Sequence, residues 1–251
     1  MALPGMEWLR PSTSEASLSE RPLQLLRDFS CPSDDKWKPV LWDEDRRSFA
    51  FHRPGALTPE ATQYFFRRLQ AAVPWKPLEN KKKTRVSRHT AWYTRDPSCR
   101  CEYTYGMKTR VSALVEGGGW WEKQQAFREA MEELLQHVFS RIFPQLDHSG
   151  WPDCANLNWY EDGSQGVGWH ADDELLFQGS VSDCPIVSLS LGGTREFWLA
   201  PKAEGANPDV RQGVVELDLQ NGDLMTMEGL TQNTAFTLCR WPVPVTRRIS
   251  R

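Results

Sequence analysis

A histidine and a carboxylate two residues apart, His170-Ala171-Asp172, have the type and spacing to do chemistry in this 251-residue chain. On a β-strand, side chains two apart point to the same face. The pair would then send one nitrogen and one oxygen donor into a single space. A third ligand from elsewhere in the chain would complete a two-histidine, one-carboxylate iron site. A lone histidine in so short a motif is otherwise a hydrogen-bonded structural residue. The surroundings favour a cation. Asp173 and Glu174 follow directly, which makes an acidic cluster beside the histidine. Tyr160 stands ten residues upstream, at the end of an expected strand.

The elements that must position this pair are short strands. From Trp151 onward the pattern predicts strands at 155–160, 167–171, 186–191, 195–199, 213–219 and 223–227. Gly163, Gly192-Gly193 and Asn221-Gly222 punctuate them. Many short strands at this spacing predict a sandwich or jelly roll, in a mainly β fold of the α+β class. Two helices from the N-terminal half would flank it. For the first, Thr58 is the N-cap and Pro59 the first helical residue, where a missing N–H costs nothing. Apolar residues at 61, 65, 69, 72 and 73 keep helical spacing, and Pro74 ends the run. The second helix spans 122–143. Phe127, Met131, Leu134, Val138 and Ile142 form its stripe, widened by Ala130, Leu135 and Phe139. A face that wide packs on something large, most simply a sheet. Two further short strands are expected at 40–42 and 48–51, around the polar turn 43–47. Residues 1–38, rich in Pro, Ser and charge, read as a mobile arm with a short helix at 18–29.

Composition narrows the class. Hydrophobic residues at 39% and charged residues at 25% fit a globular protein, expected to be an intracellular monomer of the nucleus or cytoplasm. A net charge of -3 supplies no global basic field, so a nucleic-acid partner must be held by a local patch. Trp75 to Arg110 supplies one. Ten Lys/Arg residues there face three acids, with Trp92, Tyr93, Tyr103 and Tyr105 interleaved. Basic side chains pair with phosphates and aromatic faces stack on bases. A solvated surface hairpin is the plainer reading of the same stretch. No apolar run reaches the roughly 18 residues that would span a bilayer, and no secretory signal is expected. The six cysteines include no CxxC pair and are expected to be reduced thiols.

Several runs together resemble the AlkB-type Fe(II)/2-oxoglutarate-dependent dioxygenases. They are Asn158-Trp159-Tyr160-Glu161-Asp162-Gly163, His170-Ala171-Asp172-Asp173-Glu174, Ser188-Leu189-Ser190-Leu191-Gly192, Arg195-Glu196-Phe197 and Gln220-Asn221-Gly222-Asp223-Leu224-Met225-Thr226-Met227. Arg88-His89-Thr90-Ala91-Trp92-Tyr93 resembles the family's substrate-loop motif. The resemblance covers about residues 40–232. It implies a double-stranded β-helix, with a jelly-roll core at 154–232 and a substrate-binding lid at 76–110. It implies Fe(II) and, as co-substrate, 2-oxoglutarate, used to remove alkyl groups oxidatively from bases of DNA or RNA. His170 and Asp172 match two iron ligands. Asn158 and Tyr160 match residues that bind 2-oxoglutarate. Asp173, Glu174 and Arg195 match positions around the base pocket. Trp92 and Tyr93 match the loop over a flipped base.

The C-terminal stretch departs from the family. A third iron ligand is expected shortly after Met227, yet the histidines lie only at 52, 89, 137, 148 and 170. The family's final arginine-bearing strand has at best a counterpart beginning at Arg248-Ile249-Ser250. Asn233 to Pro242 reads NTAFTLCRWP. Shifted by one base, its codons permit a Lys-His…His-x-Val-Pro pattern like the family's. Residues 233–251 are therefore read as an aberrant tail, with the lost histidine falling near Phe236/Thr237. Weak iron binding, a poorly anchored co-substrate and an exposed sheet edge are the expected consequences. Two alternatives to a nucleic-acid dealkylase are a catalytically inactive nucleic-acid-binding module and the same oxygenase chemistry on a protein or lipid.

Overall fold

The computed structural model describes residues 24–79, 85–99, 102–105, 109–112, 120–172, 177, 183–202 and 213–240. Strands β1 (Lys38–Asp43) and β2 (Ser48–Arg53) precede helix α1 (Pro59–Ala72). Strands β3 (Lys76–Glu79), β4 (Arg85–Thr94), β5 (Glu102–Tyr105) and β6 (Thr109–Ser112) lead to helix α2 (Trp120–Ile142). Then come β7 (Cys154–Trp159), β8 (Val167–His170), β9 (Ile186–Leu189), β10 (Arg195–Pro201), β11 (Val215–Leu219), β12 (Leu224–Gly229) and β13 (Ala235–Arg240).

Local chemistry sets the helices. Thr58 accepts a hydrogen bond from the Ala61 N–H and Pro59 starts α1. Phe65 and Leu69 of α1 pack with Phe127, Ala130, Met131, Leu135, Val138, Phe139 and Ile142 of α2. That apolar layer also takes Ala91 and Tyr93 from β4 and Leu224 from β12, so the helices cover a sheet as their wide stripe predicts.

The strands build two four-stranded antiparallel sheets, ordered β1-β2-β12-β9 and β11-β10-β13-β8. Ala50, Phe197, Leu199, Leu219, Met225, Met227 and Ala235 fill the space between them. Alternation along β12 explains the arrangement. Met225 and Met227 face this interior, while Leu224 turns to the helices. The result is the jelly roll that the strand spacing predicts, flanked by two helices. Its first sheet recruits β1 and β2 from before residue 154. The Asn221-Gly222 turn joins β11 to β12 with Gly222 at φ +87°. A Cβ there would meet Thr62 Cγ2 at 2.6 Å and the Leu57 carbonyl oxygen at 2.9 Å, so only glycine fits.

Several stretches differ from their sequence reading. Residues 24–38 are packed rather than free. Leu25 and Leu26 are buried, Leu26 N–H donates to Glu228 Oε2 at 2.6 Å, and Asp34 pairs with Arg53. Residues 1–23 lie outside the described residues. The stretch read as one lid divides. β3 and β4 join β7 in a three-stranded sheet, and β5 pairs with β6 alone among the described strands. Residues 235–240, within the stretch read as an aberrant tail, form β13 between β10 and β8. Cys31, Cys154, Cys184 and Cys239 are free thiols, whereas Cys99 is disulfide-bonded, contrary to the expectation of thiols throughout. Among the described residues no helix is long and apolar enough to cross a membrane.

One feature of the sheets bears on the site. β9 pairs with β12 on one side and β7 with β4 on one side, and neither pairs with another described strand on the other. One cavity is lined by Ile186–Leu189 and Cys154–Trp159 alike. It reaches Met131, Leu135 and Val138 of α2 behind the sheet.

Candidate metal and co-substrate site

β8 brings His170 to the edge of a continuous cavity of about 2000 Å³, and the chain turns so that Asp172 faces it. His170 Nε2 lies 3.5 Å from Asp172 Oδ1. His170 Nδ1 lies 2.8 Å from the Gly168 carbonyl oxygen, which fixes the ring and leaves Nε2 turned to the cavity. Two donors about 2.1 Å from one ion, at an angle somewhat above tetrahedral, stand about 3.5 Å apart. The pair therefore fits one cation held between them. Among the described residues no third His, Cys, Asp or Glu joins it. Thr237 stands beside the histidine. It pairs with His170 across β13 and β8, is 5% exposed, and holds its Oγ1 3.2 Å from His170 Nε2.

The co-substrate candidates line the same cavity. Asn156 and Asn158 project from β7 into it. Asn158 Oδ1 accepts from Arg88 Nε at 2.9 Å. Burial pushes the Tyr160 phenol far above its ordinary range, and the neighbouring Cys239 thiol adds to the rise. The phenol thus stays a neutral hydroxyl at any working pH. Burial likewise pushes the Cys239 thiol up, against the opposing pull of its hydrogen bond with Tyr160. Arg88 is a residue the sequence reading passed over as a ligand. Its signals were membership of the basic stretch and of the run that resembles the substrate-loop motif, and β4–β7 pairing is what brings it to Asn158.

The substrate candidates separate. Trp92 lines the cavity and packs with Tyr103 of β5 at 5.0 Å and with Phe177 at 6.0 Å between ring centroids. Tyr93 points the other way, into the helix-covered core, against Phe127 and with its hydroxyl donating to Glu132 at 2.5 Å. Arg195 is 9% exposed. It donates to the Gln165 carbonyl at 2.6 Å and the Asp162 carbonyl at 3.2 Å, and its guanidinium lies 4.2 Å from the Tyr160 ring centroid. These contacts clamp the 162–165 turn and Tyr160, and Arg195 also lines the cavity. Asp173, Glu174 and Arg248 lie outside the described residues, as do Lys81, Lys82 and Lys83.

Comparison with known proteins bears on this geometry. Residues 50–236 match the model of the 2OG-Fe(II) oxygenase superfamily, and the match stops one residue before Thr237. Alpha-ketoglutarate-dependent dioxygenase alkB homolog 3 of Rattus norvegicus is 29% identical over 187 residues, 71% of this chain and 54% of that protein. DNA oxidative demethylase ALKBH2 of Homo sapiens is 41% identical over 73 residues, 28% of this chain and 26% of that protein. A solved structure of OsALKBH1 aligns at 16% identity with a TM-score of 0.46, covering 83% of this chain and 90% of that one. The chain spans about half the length of the curated homolog 3 relatives it matches.

Proposed function

This chain belongs to the 2OG-Fe(II) oxygenase superfamily, and from that premise we propose that it demethylates alkylated bases of DNA or RNA oxidatively, with Fe(II), O2 and 2-oxoglutarate. The observation that carries the reading is the convergence of His170 and Asp172, 3.5 Å apart, on the cavity that also takes Asn158, Tyr160 and Trp92. His170 Nε2 and the Asp172 carboxylate would hold the iron. When bound, the iron and its co-substrate supply the oxidation of the alkyl group. The chain's own residues bind, orient and exclude water. Asn158 and the neutral Tyr160 hydroxyl present hydrogen bonds to the co-substrate, and the nearby Arg88 guanidinium suits an anionic carboxylate. Arg248 is assigned to the same co-substrate by sequence, and Asp173 and Glu174 to the base. Trp92, packed with Tyr103 and Phe177, borders the cavity where an extruded base would lie. Arg195 holds Tyr160 and the 162–165 turn in place.

A second reading has a specific observation behind it. Thr237 stands where a third protein ligand would come, which favours a nucleic-acid-binding module with little or no turnover. One assay separates the two. Succinate formation from 2-oxoglutarate is followed with methylated single-stranded oligonucleotides, on the full chain and its His170→Ala and Asp172→Ala variants. The dealkylase reading expects iron-dependent succinate and loss of at least about a hundredfold in both variants. Oligonucleotide binding with no iron-dependent succinate, in this chain and in Thr237→His alike, would replace it with the binding module.

A further inference from the structure

Thr237 does more than occupy a corner of the site. The Gly168 carbonyl can only accept, so the His170 Nδ1 that faces it at 2.8 Å carries the proton of the neutral imidazole. In the tautomer with Nε2 unprotonated, Nε2 accepts from the Thr237 hydroxyl 3.2 Å away, which is nearer than the Asp172 carboxylate at 3.5 Å, a group that can only accept. The other acceptor within reach of that hydroxyl, the His170 carbonyl, is farther at 3.5 Å. Strand pairing holds the two residues opposite one another, and Thr237 is buried, so water does not readily take over the bond. The lone pair engaged by the hydroxyl is the one a metal ion would take.

We propose that Thr237 competes with the metal for His170 Nε2, so that this chain takes up a divalent cation more weakly than its His–Asp pair alone would allow. The proposal rests on the reading of His170 and Asp172 as metal ligands. Two roles for the hydroxyl predict opposite signs. A ligating oxygen would strengthen metal binding, and its removal would weaken it. A hydroxyl that caps Nε2 must be displaced, and its removal strengthens binding. A neutral hydroxyl is a poor donor beside imidazole and carboxylate, which sets the expected sign.

The test is a Co(II) titration of the full chain, read by visible absorption of the bound ion and independently by calorimetry. Thr237→Val keeps the branched shape that suits a strand and removes the donor. Its Kd should fall about two- to tenfold, the worth of one hydrogen bond. Thr237→Ser keeps the hydroxyl and should stay within about twofold of the parent. Thr237→His adds a third donor and should tighten binding at least about a hundredfold. An unchanged or weaker Kd in Thr237→Val, with tight binding in Thr237→His, overturns the competition and leaves the ligand pair standing. No Co(II) binding in any variant, Thr237→His included, overturns both. Unaltered thermal midpoints across the series keep a folding defect from imitating either result.

Discussion

Trp92 and Tyr93 are neighbours in β4 and lie on opposite faces of it. Both are buried, but Trp92 borders the cavity, whereas Tyr93 packs in the helix-covered core. Both were legible as an aromatic motif, yet a strand sends adjacent side chains to opposite faces, so one loop role could not suit both. Burial, with the Glu132 carboxylate second, pushes the Tyr93 phenol far above its ordinary range, so it remains a hydrogen-bond donor throughout. Tyr93→Phe is expected to cost about 1 kcal/mol in urea unfolding and to leave the KM for a methylated oligonucleotide unchanged. A raised KM would put Tyr93 back at the substrate. His170, Asp172, Asn158 and Tyr160 were legible because each belongs to a short local motif. Thr237 was legible only as an absent histidine, and its position opposite His170 depends on β13–β8 register. Arg195 was legible as a site residue but not as a clamp. Its partners are backbone carbonyls at 162 and 165, about thirty residues away in the chain, and no side-chain pattern marks those.

Among the elements, the segment 24–38 illustrates how a polar, Pro- and Ser-rich composition can mislead. Leu25 and Leu26 are buried, Phe29 and Trp37 pack on the core, and the buried Glu228 of β12 fastens the Leu26 N–H. Glu228 also accepts from Thr226 Oγ1 at 2.5 Å. Burial pushes its carboxyl up to about 7 despite those two donors, with Asp28 adding to the rise and Arg27 opposing it. The folded pKa lies above the ordinary carboxyl value of 4.5, so the folded state holds the proton more tightly than the unfolded chain does. Its stabilising contribution is present below about pH 4.5 and is lost as the pH rises through 7. At most about 3 kcal/mol is at stake. Glu228→Gln should flatten the decline in thermal midpoint between pH 5 and 8 and raise the midpoint at pH 8. A decline equally steep in the variant would assign it to other groups. The helices were legible from capping and periodicity, because both signals are local. The docking of 24–38 was not, because its anchor lies 202 residues away.

At the scale of the molecule, the jelly roll was legible from strand number and spacing, but its neighbours were not. β2 lies beside β12, and β13 between β10 and β8, through pairings set by register across long separations. Among the described strands, the single pairing of β7 and of β9 follows from that same order. Amides of Ile186–Leu189 that face away from β12 should exchange with deuterium much faster than those of Leu224–Met227, which is paired on both sides. Equal protection would mean that the edge of β9 is covered in solution. The cavity that His170 lines is also lined by Met131, Leu135 and Val138, which hold α2 to the rest of the chain. Scaffold and specificity are thus written in the same side chains, and a change that improves one of them is felt at once by the other.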